Sequence, residues 1–251
     1  MEEQDFNNTA NVEHRRKFFG IDAEEVKNQE FSLSGKDDVE KFDVFIKNYV
    51  EEETHLPFLG FNLPRWYEKC RAMGANGGRL FASILDLNIT LAFVFIDFSK
   101  TNPGHETINC REYPDILSDH VLFKKRIVLL HDTIDMAIRY RSFYDKLMGV
   151  LVLLFCPSEY HSFIKADSRK KEFKKKMSGI MDSEFLESLY TIISQLDDRF
   201  RTAEIHQAGR MRKWVLGGRD SFLDNAIDLE GFFNSILNLA IWVDKLVDEV
   251  R

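Results

Sequence analysis

Proline is scarce in this chain, with five in 251 residues, at positions 57, 64, 103, 114 and 157. A proline inside a helix removes a hydrogen bond and clashes with the preceding turn, so the proline-free stretch from Ser158 to Arg251 is open to long helices. Cysteine is scarcer still. Cys70, Cys110 and Cys156 are widely spaced, odd in number and outside any C-x-x-C arrangement, which excludes a disulfide framework and a local zinc site. A reducing, cytoplasmic location is expected from that usage. Long apolar runs are missing too. The two longest, Leu87 to Ile96 and Leu147 to Cys156, have ten residues each, well short of the roughly 20 that cross a bilayer as a helix. The first thirty residues are acidic and carry no apolar stretch of the secretory kind, so neither a leader nor a membrane partner is expected.

Several catalytic signatures are also absent. The chain has no G-x-x-x-x-G-K-[ST] loop, no H-E-x-x-H, no G-x-S-x-G and no EF-hand pattern, which removes the commonest nucleotide hydrolases, metalloproteases and α/β-hydrolases. The seven histidines, at 14, 55, 105, 120, 131, 161 and 206, include no pair three or four residues apart. No metal and no other cofactor is expected.

What is present is helical periodicity. With 44% hydrophobic residues the chain has ample material for a core. The spacing predicts helices near Asp38 to Glu52, Arg65 to Ala75, Arg79 to Phe98, Glu159 to Met177, Asp182 to Phe200 and Ser221 to Val250. A further long helix is predicted to start at Ser118 or Asp119 and stop at Pro157. Its expected apolar set is Leu122, Ile127, Leu130, Ile134, Ala137, Ile138, Phe143, Leu147 and Val150. Only "LNITLAFVFIDF" has strand-like composition, and its continuity with "GRLFASILDL" favours a buried helix. The expected fold class is therefore all-α, an antiparallel helical bundle with short loops. The long irregular stretch Thr101 to Asp115 suggests a boundary: a helical N-terminal region over 1–112, of unassigned role, and a helical bundle over 113–251.

Net charge is −7, yet two segments oppose it. Lys165 to Lys176 holds seven Lys/Arg against two acids, and Arg199 to Arg219 holds six against Glu204. Such surfaces can hold phosphates within an acidic protein, although a lysine-rich run is more often a solvated helix face. Within the second segment lies "DDRFRTAEIHQAGRMRKW", Asp197 to Trp214. Arg201 and His206 are spaced R-x4-H, and Arg199 and His206 R-x6-H. Spacing alone gives about one such match by chance in a chain of this composition. "RIVLLH", Arg126 to His131, repeats it in the middle of an apolar helix, where residues five apart point about 140° apart. Around His206 the surroundings differ. Thr202 is polar and suited to cap a new helix, the apolar stripe through Leu196 and Phe200 does not continue cleanly, and a basic run follows. A kink there would bring Arg201 and His206 together, whereas a straight helix would put Arg199 on the face of His206.

These residues resemble the R-x4-6-H motif of the HEPN superfamily, helical-bundle proteins that include metal-independent endoribonucleases. "RTAEIHQAGRMRKW" is similar to the motif segment of a bacterial branch, and "YRSFYDKLMGVLVLLF" to the first long helix of such a bundle. The resemblance covers roughly 114–251. It implies RNA cleavage by attack of the ribose 2′-OH on the adjacent phosphorus, with Arg201 and His206 catalytic and no metal. Arg199, Thr202 and Glu204 would support the pair, and Arg210, Arg212 and Lys213 would hold phosphates. It further implies a homodimer with one composite cleft and a toxin-like or defence role. Thr202 stands where the family has Asn, Asp or His more often. That departure points to the alternative, a non-catalytic module that binds nucleotide, RNA or an unidentified protein partner.

Overall fold

The computed structural model describes residues 35–101, 120–201 and 222–248. About 87% of them are helical and no β-strand occurs among them, so the fold is an all-α helical bundle. In chain order the helices are α1 (Lys36–Thr54), α2 (Leu63–Ala72), α3 (Ala75–Thr101), α4 (His120–Phe155), α5 (Tyr160–Ile164), α6 (Arg169–Met177), α7 (Ser183–Leu196) and α8 (Phe222–Lys245). Short 3-10 turns cover Pro157–Glu159 and Leu246–Asp248, and a π turn covers Asp197–Arg201.

Local chemistry sets most of the boundaries. Asn62 caps α2 by accepting from the Arg65 amide at 3.1 Å, with Pro64 in the first turn, where its missing N–H costs nothing. Asp182 caps α7 through the Phe185 amide at 2.9 Å. His55 ends α1 in a left-handed conformation, φ 56°. Pro157 stops α4 as expected, with Cys156 ahead of it already out of helical conformation at φ −140°, ψ 58°. At the α2–α3 turn, a Cβ on Gly77 would lie 1.7 Å from the Cys70 carbonyl oxygen. Only glycine permits that close approach.

The core is organised on α3 and α4, which run antiparallel. Thr101 meets Met136, Asp97 meets Arg139, and Thr90 and Asp86 both meet Lys146. Leu80, Ile84, Leu87, Leu91 and Phe95 of α3 face Met136, Tyr140, Phe143, Tyr144 and Leu147 of α4 within one buried cluster. The segment "LNITLAFVFIDF" is accordingly a core helix. Helix α3 is long and apolar enough to cross a membrane by length and composition, but most of its apolar residues pack inside the bundle, Phe93 being the exposed exception. Helix α8 lies parallel to α4: the Tyr140 hydroxyl donates to the Leu229 carbonyl at 3.2 Å, and Tyr144 reaches Ser235 at 3.4 Å. Phe233 of α8 meets the edge of Phe95 and stacks on Phe98 at 3.9 Å. The same buried cluster draws on α1, α2 and α3 and on α4 to α8. Helices on both sides of the suggested division near residue 112 therefore share one core, and the division itself falls within 102–119, outside the described residues.

Three sequence expectations are corrected. The helix expected over Glu159 to Met177 is broken between Ile164 and Arg169, where Ser168 is extended at φ −126°, ψ 93°. Asp167 and Ser168 favour local turns and caps over a helix interior. The helix expected over Asp182 to Phe200 ends at Leu196 and gives way to the π turn. On α4, Ile127 and Ile138 are exposed, whereas Met136, Tyr140, Tyr144 and Met148 are buried. The two tyrosines enter the core because each hydroxyl finds a partner on α8.

Helices α1, α2 and α8 meet at a polar joint. Asp244 accepts from the Trp66 indole N–H at 2.9 Å and from the Asn62 amide at 3.0 Å, and Arg65 pairs with Asp248. Asp43 of α1 accepts from the Leu63 amide; burial pushes its carboxyl above the ordinary range, against the opposing effects of that hydrogen bond and of Lys47, with Asp244 adding a smaller upward push.

Two outcomes follow for this joint. Asp244→Ala should cost about 1–3 kcal/mol in urea unfolding, because the buried Trp66 N–H loses its acceptor, and Trp66→Phe in the same chain should recover part of that loss. Folded Asp43 holds its proton to higher pH than unfolded Asp43, so its contribution to stability declines as pH rises from the ordinary carboxylate range through the raised value. Asp43→Asn keeps an acceptor for Leu63, so in thermal unfolding followed by circular dichroism it should raise Tm by about 1–3 °C at pH 7. The gain should vanish below about pH 4, where the wild-type carboxyl is protonated in both states.

Candidate functional site

The Arg/His motif begins where α7 loses its regular winding. Residues Asp197–Arg201 form the π turn, a rare conformation that inserts an extra residue per turn and is frequent at functional sites. Such a turn persists only if its side chains hold it, and here both ends are held. Phe200 is buried and meets Phe232 of α8 edge to face, with ring centres 6.0 Å apart. Asp197 is clasped from two other helices. Its Oδ1 accepts from Arg141 Nε of α4 at 3.0 Å, and its Oδ2 lies 3.9 Å from Lys170 Nζ of α6. Arg141 also donates to Asp145 at 2.5 Å, and Lys170 donates to Ser194 at 3.0 Å. The side chains of Arg141 and Asp197 are only 11% and 16% exposed, so this is a semi-buried, charge-balanced network and not a solvated ion pair.

The outer side of the same junction is cationic. Lys170 and Lys174 sit over the Tyr190 ring, 4.7 and 4.8 Å from its centre. Lys174 also pairs with Glu187 at 2.5 Å. Lys176 is held by Glu159 at 2.6 Å and by Glu172 at 3.1 Å, and that pairing with Lys176 holds the Glu159 carboxyl below its ordinary range.

Among the residues singled out from sequence, Arg199 lies exposed on the π turn and Arg201 ends it. Both belong to one turn, directly after the clasped Asp197. Thr202, Glu204, His206, Arg210, Arg212 and Lys213 lie outside the described residues, as does the side chain of Arg201. The competing pair is clearer. His131 stands on α4 with 72% of its side chain exposed, 3.5 Å from both Asp132 and Asp135, in an acidic setting opposite in charge to the run after Arg201. Among the described residues, no group of three or more His, Cys, Asp or Glu is arranged to hold a metal ion.

Sequence reasoning missed Arg141, Lys170 and Asp145. Among the partners of Asp197 are Arg141 of α4 and Lys170 of α6. Half of that network was visible as the i, i+4 pair Arg141 and Asp145; the link to Asp197 spans 56 residues of chain and leaves no local signal. Compared with protein-family models, with curated proteins and with solved structures, the chain matches none.

Removing Arg141 leaves two partly buried carboxylates without their main partner. Arg141→Ala should lose about 3 kcal/mol of unfolding free energy, read from urea titrations. Asp197→Ala in the Arg141→Ala background should cost less than it does alone. Equal costs in both backgrounds would show that the pair is not coupled.

Proposed function

We propose that the chain is a metal-independent endoribonuclease of the HEPN type, acting through Arg201 and His206. The observation that carries this reading is the π turn that ends at Arg201. Continuous α-helical winding separates residues five apart by about 140°, and this turn breaks the winding where the motif starts. The basic run with Arg210, Arg212 and Lys213 supports it further.

In the proposed chemistry His206 accepts the proton of a ribose 2′-OH as the oxygen attacks the adjacent phosphorus. The 5′-oxygen leaves with a proton, giving a 2′,3′-cyclic phosphate and a 5′-hydroxyl. An imidazole is the side chain suited to such proton transfers at neutral pH. Arg201 donates to the non-bridging oxygens, where negative charge builds up in the transition state, and Arg199 and Glu204 are its candidate supports. Two copies of the chain would together complete one cleft. Thr202, in a position where the family has Asn, Asp or His more often, favours a second reading, a non-catalytic module of the same shape that binds RNA, nucleotide or protein.

Purified protein incubated with a mixed RNA ladder in EDTA should cut it, and His206→Ala or Arg201→Ala should lower the rate by about 10²–10⁴-fold. Intact RNA at high protein concentration, or equal cutting by the variants, would sink the nuclease. RNA bound but uncut would establish the second reading. Arg199→Ala decides which arginine belongs to the motif, and light scattering should give the mass of a dimer.

A further inference from the structure

One side of α4 is left open by the described helices. Thr101, the last residue of α3, meets Met136, so α4 runs about four turns past the end of α3 toward His120. Thr133, Met136, Ala137 and Tyr140 are buried on its inner side. On the outer side Ile127, Val128 and Ile138 are exposed, together with His131, Asp135 and Arg139. At about 100° per residue these six fall within an arc of about 120°. An apolar arc of that width is ordinarily what an amphipathic helix buries, and here its three aliphatic residues stand in water.

The order of residues along this side fits a second copy of the same helix. Two copies related by a two-fold axis across the helix lie antiparallel, and each residue meets the one equally far beyond the level of the axis and at a similar angle. With the axis level with Thr133, Ile127 meets Ile138 of the second copy, and the two positions differ by only about 20° around the helix. His131 lies 3.5 Å from Asp135 in its own chain and meets Asp135 of the copy as well, which sets imidazole and carboxylate in alternation around the axis. Val128 meets the stem of Arg139, whose charged head is turned to α3, 3.6 Å from Asp97 and 4.8 Å from the centre of the Phe93 ring. At the two ends Lys124 meets Ser142, about five whole turns away and so at the same angle. Any stripe on a helix reflects onto itself in position; here the residue types match too, apolar with apolar and base with acid, and no two like charges face each other. Other registers lose the match. Sliding the copy by one turn sets His131 against Arg139 in one direction and Ile127 against Asp135 in the other. An unrelated protein would need no such correspondence, and a polyanion would meet Asp135 and its neighbour Asp132.

We infer that this side of α4, from Lys124 to Ser142, is the surface through which two copies of the chain pair, antiparallel and with the two-fold axis level with Thr133. The face runs about 27 Å along the helix and is one helix wide. That places it at the small end of specific interfaces, so the pairing is reversible, with a dissociation constant in the micromolar range. The nuclease proposed above also calls for two copies; the α4 face is read from its own residues and stands without it.

Sedimentation velocity of the full chain from about 1 to 200 µM brackets that range and should show monomer passing to dimer. Ile138→Asp should raise the dissociation constant at least about tenfold, since a carboxylate then enters an aliphatic contact on both sides of the axis. Asp135→Lys should do the same, because a second cation then faces His131. Adding His131→Asp to Asp135→Lys returns opposite charges to the facing positions and should restore pairing to within about threefold of wild type. Glu52→Lys, the same change of charge on exposed α1, should pair as wild type. At low concentration the variants should melt as wild type does, since each of these residues is exposed in the single chain. Under oxidation a mixture of Ile127→Cys and Ile138→Cys chains should give a disulfide-linked dimer that neither gives alone, the native cysteines being common to all three samples; this reads direction and register. The mass of a monomer throughout, pairing unchanged by Ile138→Asp and Asp135→Lys, no rescue by the double change, or a cross-link from Ile127→Cys alone would overturn the inference. So would a lowered melting temperature in chains that stay monomeric, which would show the face to be covered by another part of the same molecule. The two proposals fail separately. Pairing that depends on α4, with RNA left uncut, removes the nuclease alone; His206-dependent cutting by a chain whose mass the α4 variants leave unchanged removes this face alone.

Discussion

The antiparallel seam between α3 and α4 is the constraint on which the remaining helices depend. Neither helix can satisfy its apolar side alone: α3 buries residues from Leu80 to Phe95, and α4 buries them from Met136 to Leu153. At about 25 cal/mol per Å² of apolar surface removed from water, a seam of this length is the largest source of stability in the bundle, and the other elements attach to its two sides. Helix α8 joins through Tyr140, Tyr144 and Phe233, α2 through the Gly77 approach to Cys70, and the π turn through Arg141. The polar contacts on its rim contribute alignment more than energy. Asp86 and Thr90 meet Lys146, and Asp97 meets Arg139, so a slide of either helix by one turn would separate them all.

Much of the fold was legible in the sequence because helices announce themselves locally. Period, caps and the position of Pro157 are short-range properties, and they placed α1, α2, α3, α7 and α8 close to where they lie. The misreadings share one cause, the priority of tertiary partners over pattern. Tyr140 and Tyr144 look amphipathic in sequence and are core residues in the fold, because α8 supplies an acceptor for each. Ile127 and Ile138 look like core residues and are exposed, on a side of α4 that the described helices leave open. The break before Arg169 was hidden by a basic composition that favours helix on both sides of it.

The candidate site was legible only in part. "RTAEIH" and its basic sequel stand out in the sequence, but the apolar stripe reads as continuous through Phe200, whereas the regular winding already ends at Leu196. What holds the turn in place was not legible either. Arg141 and Lys170 reach Asp197 from helices distant in the chain, and no spacing rule links them. Lys170, Lys174 and Lys176, which are paired, and Lys171 and Lys175, which are exposed, are likewise indistinguishable by composition; only the fold sorts them.

That sorting separates the protein's charges by their response to the medium. The network of Arg141, Asp145, Asp197 and Lys170 is half-buried, so dissolved ions screen it little. Lys171 and Lys175 on α6 stand in water, where the screening length is about 8 Å at physiological ionic strength. Moderate salt would then weaken the field of these exposed cations while leaving the π turn Asp197–Arg201 intact. Ionic strength therefore acts on the charges that stand in water and leaves untouched the clasp that shapes the turn.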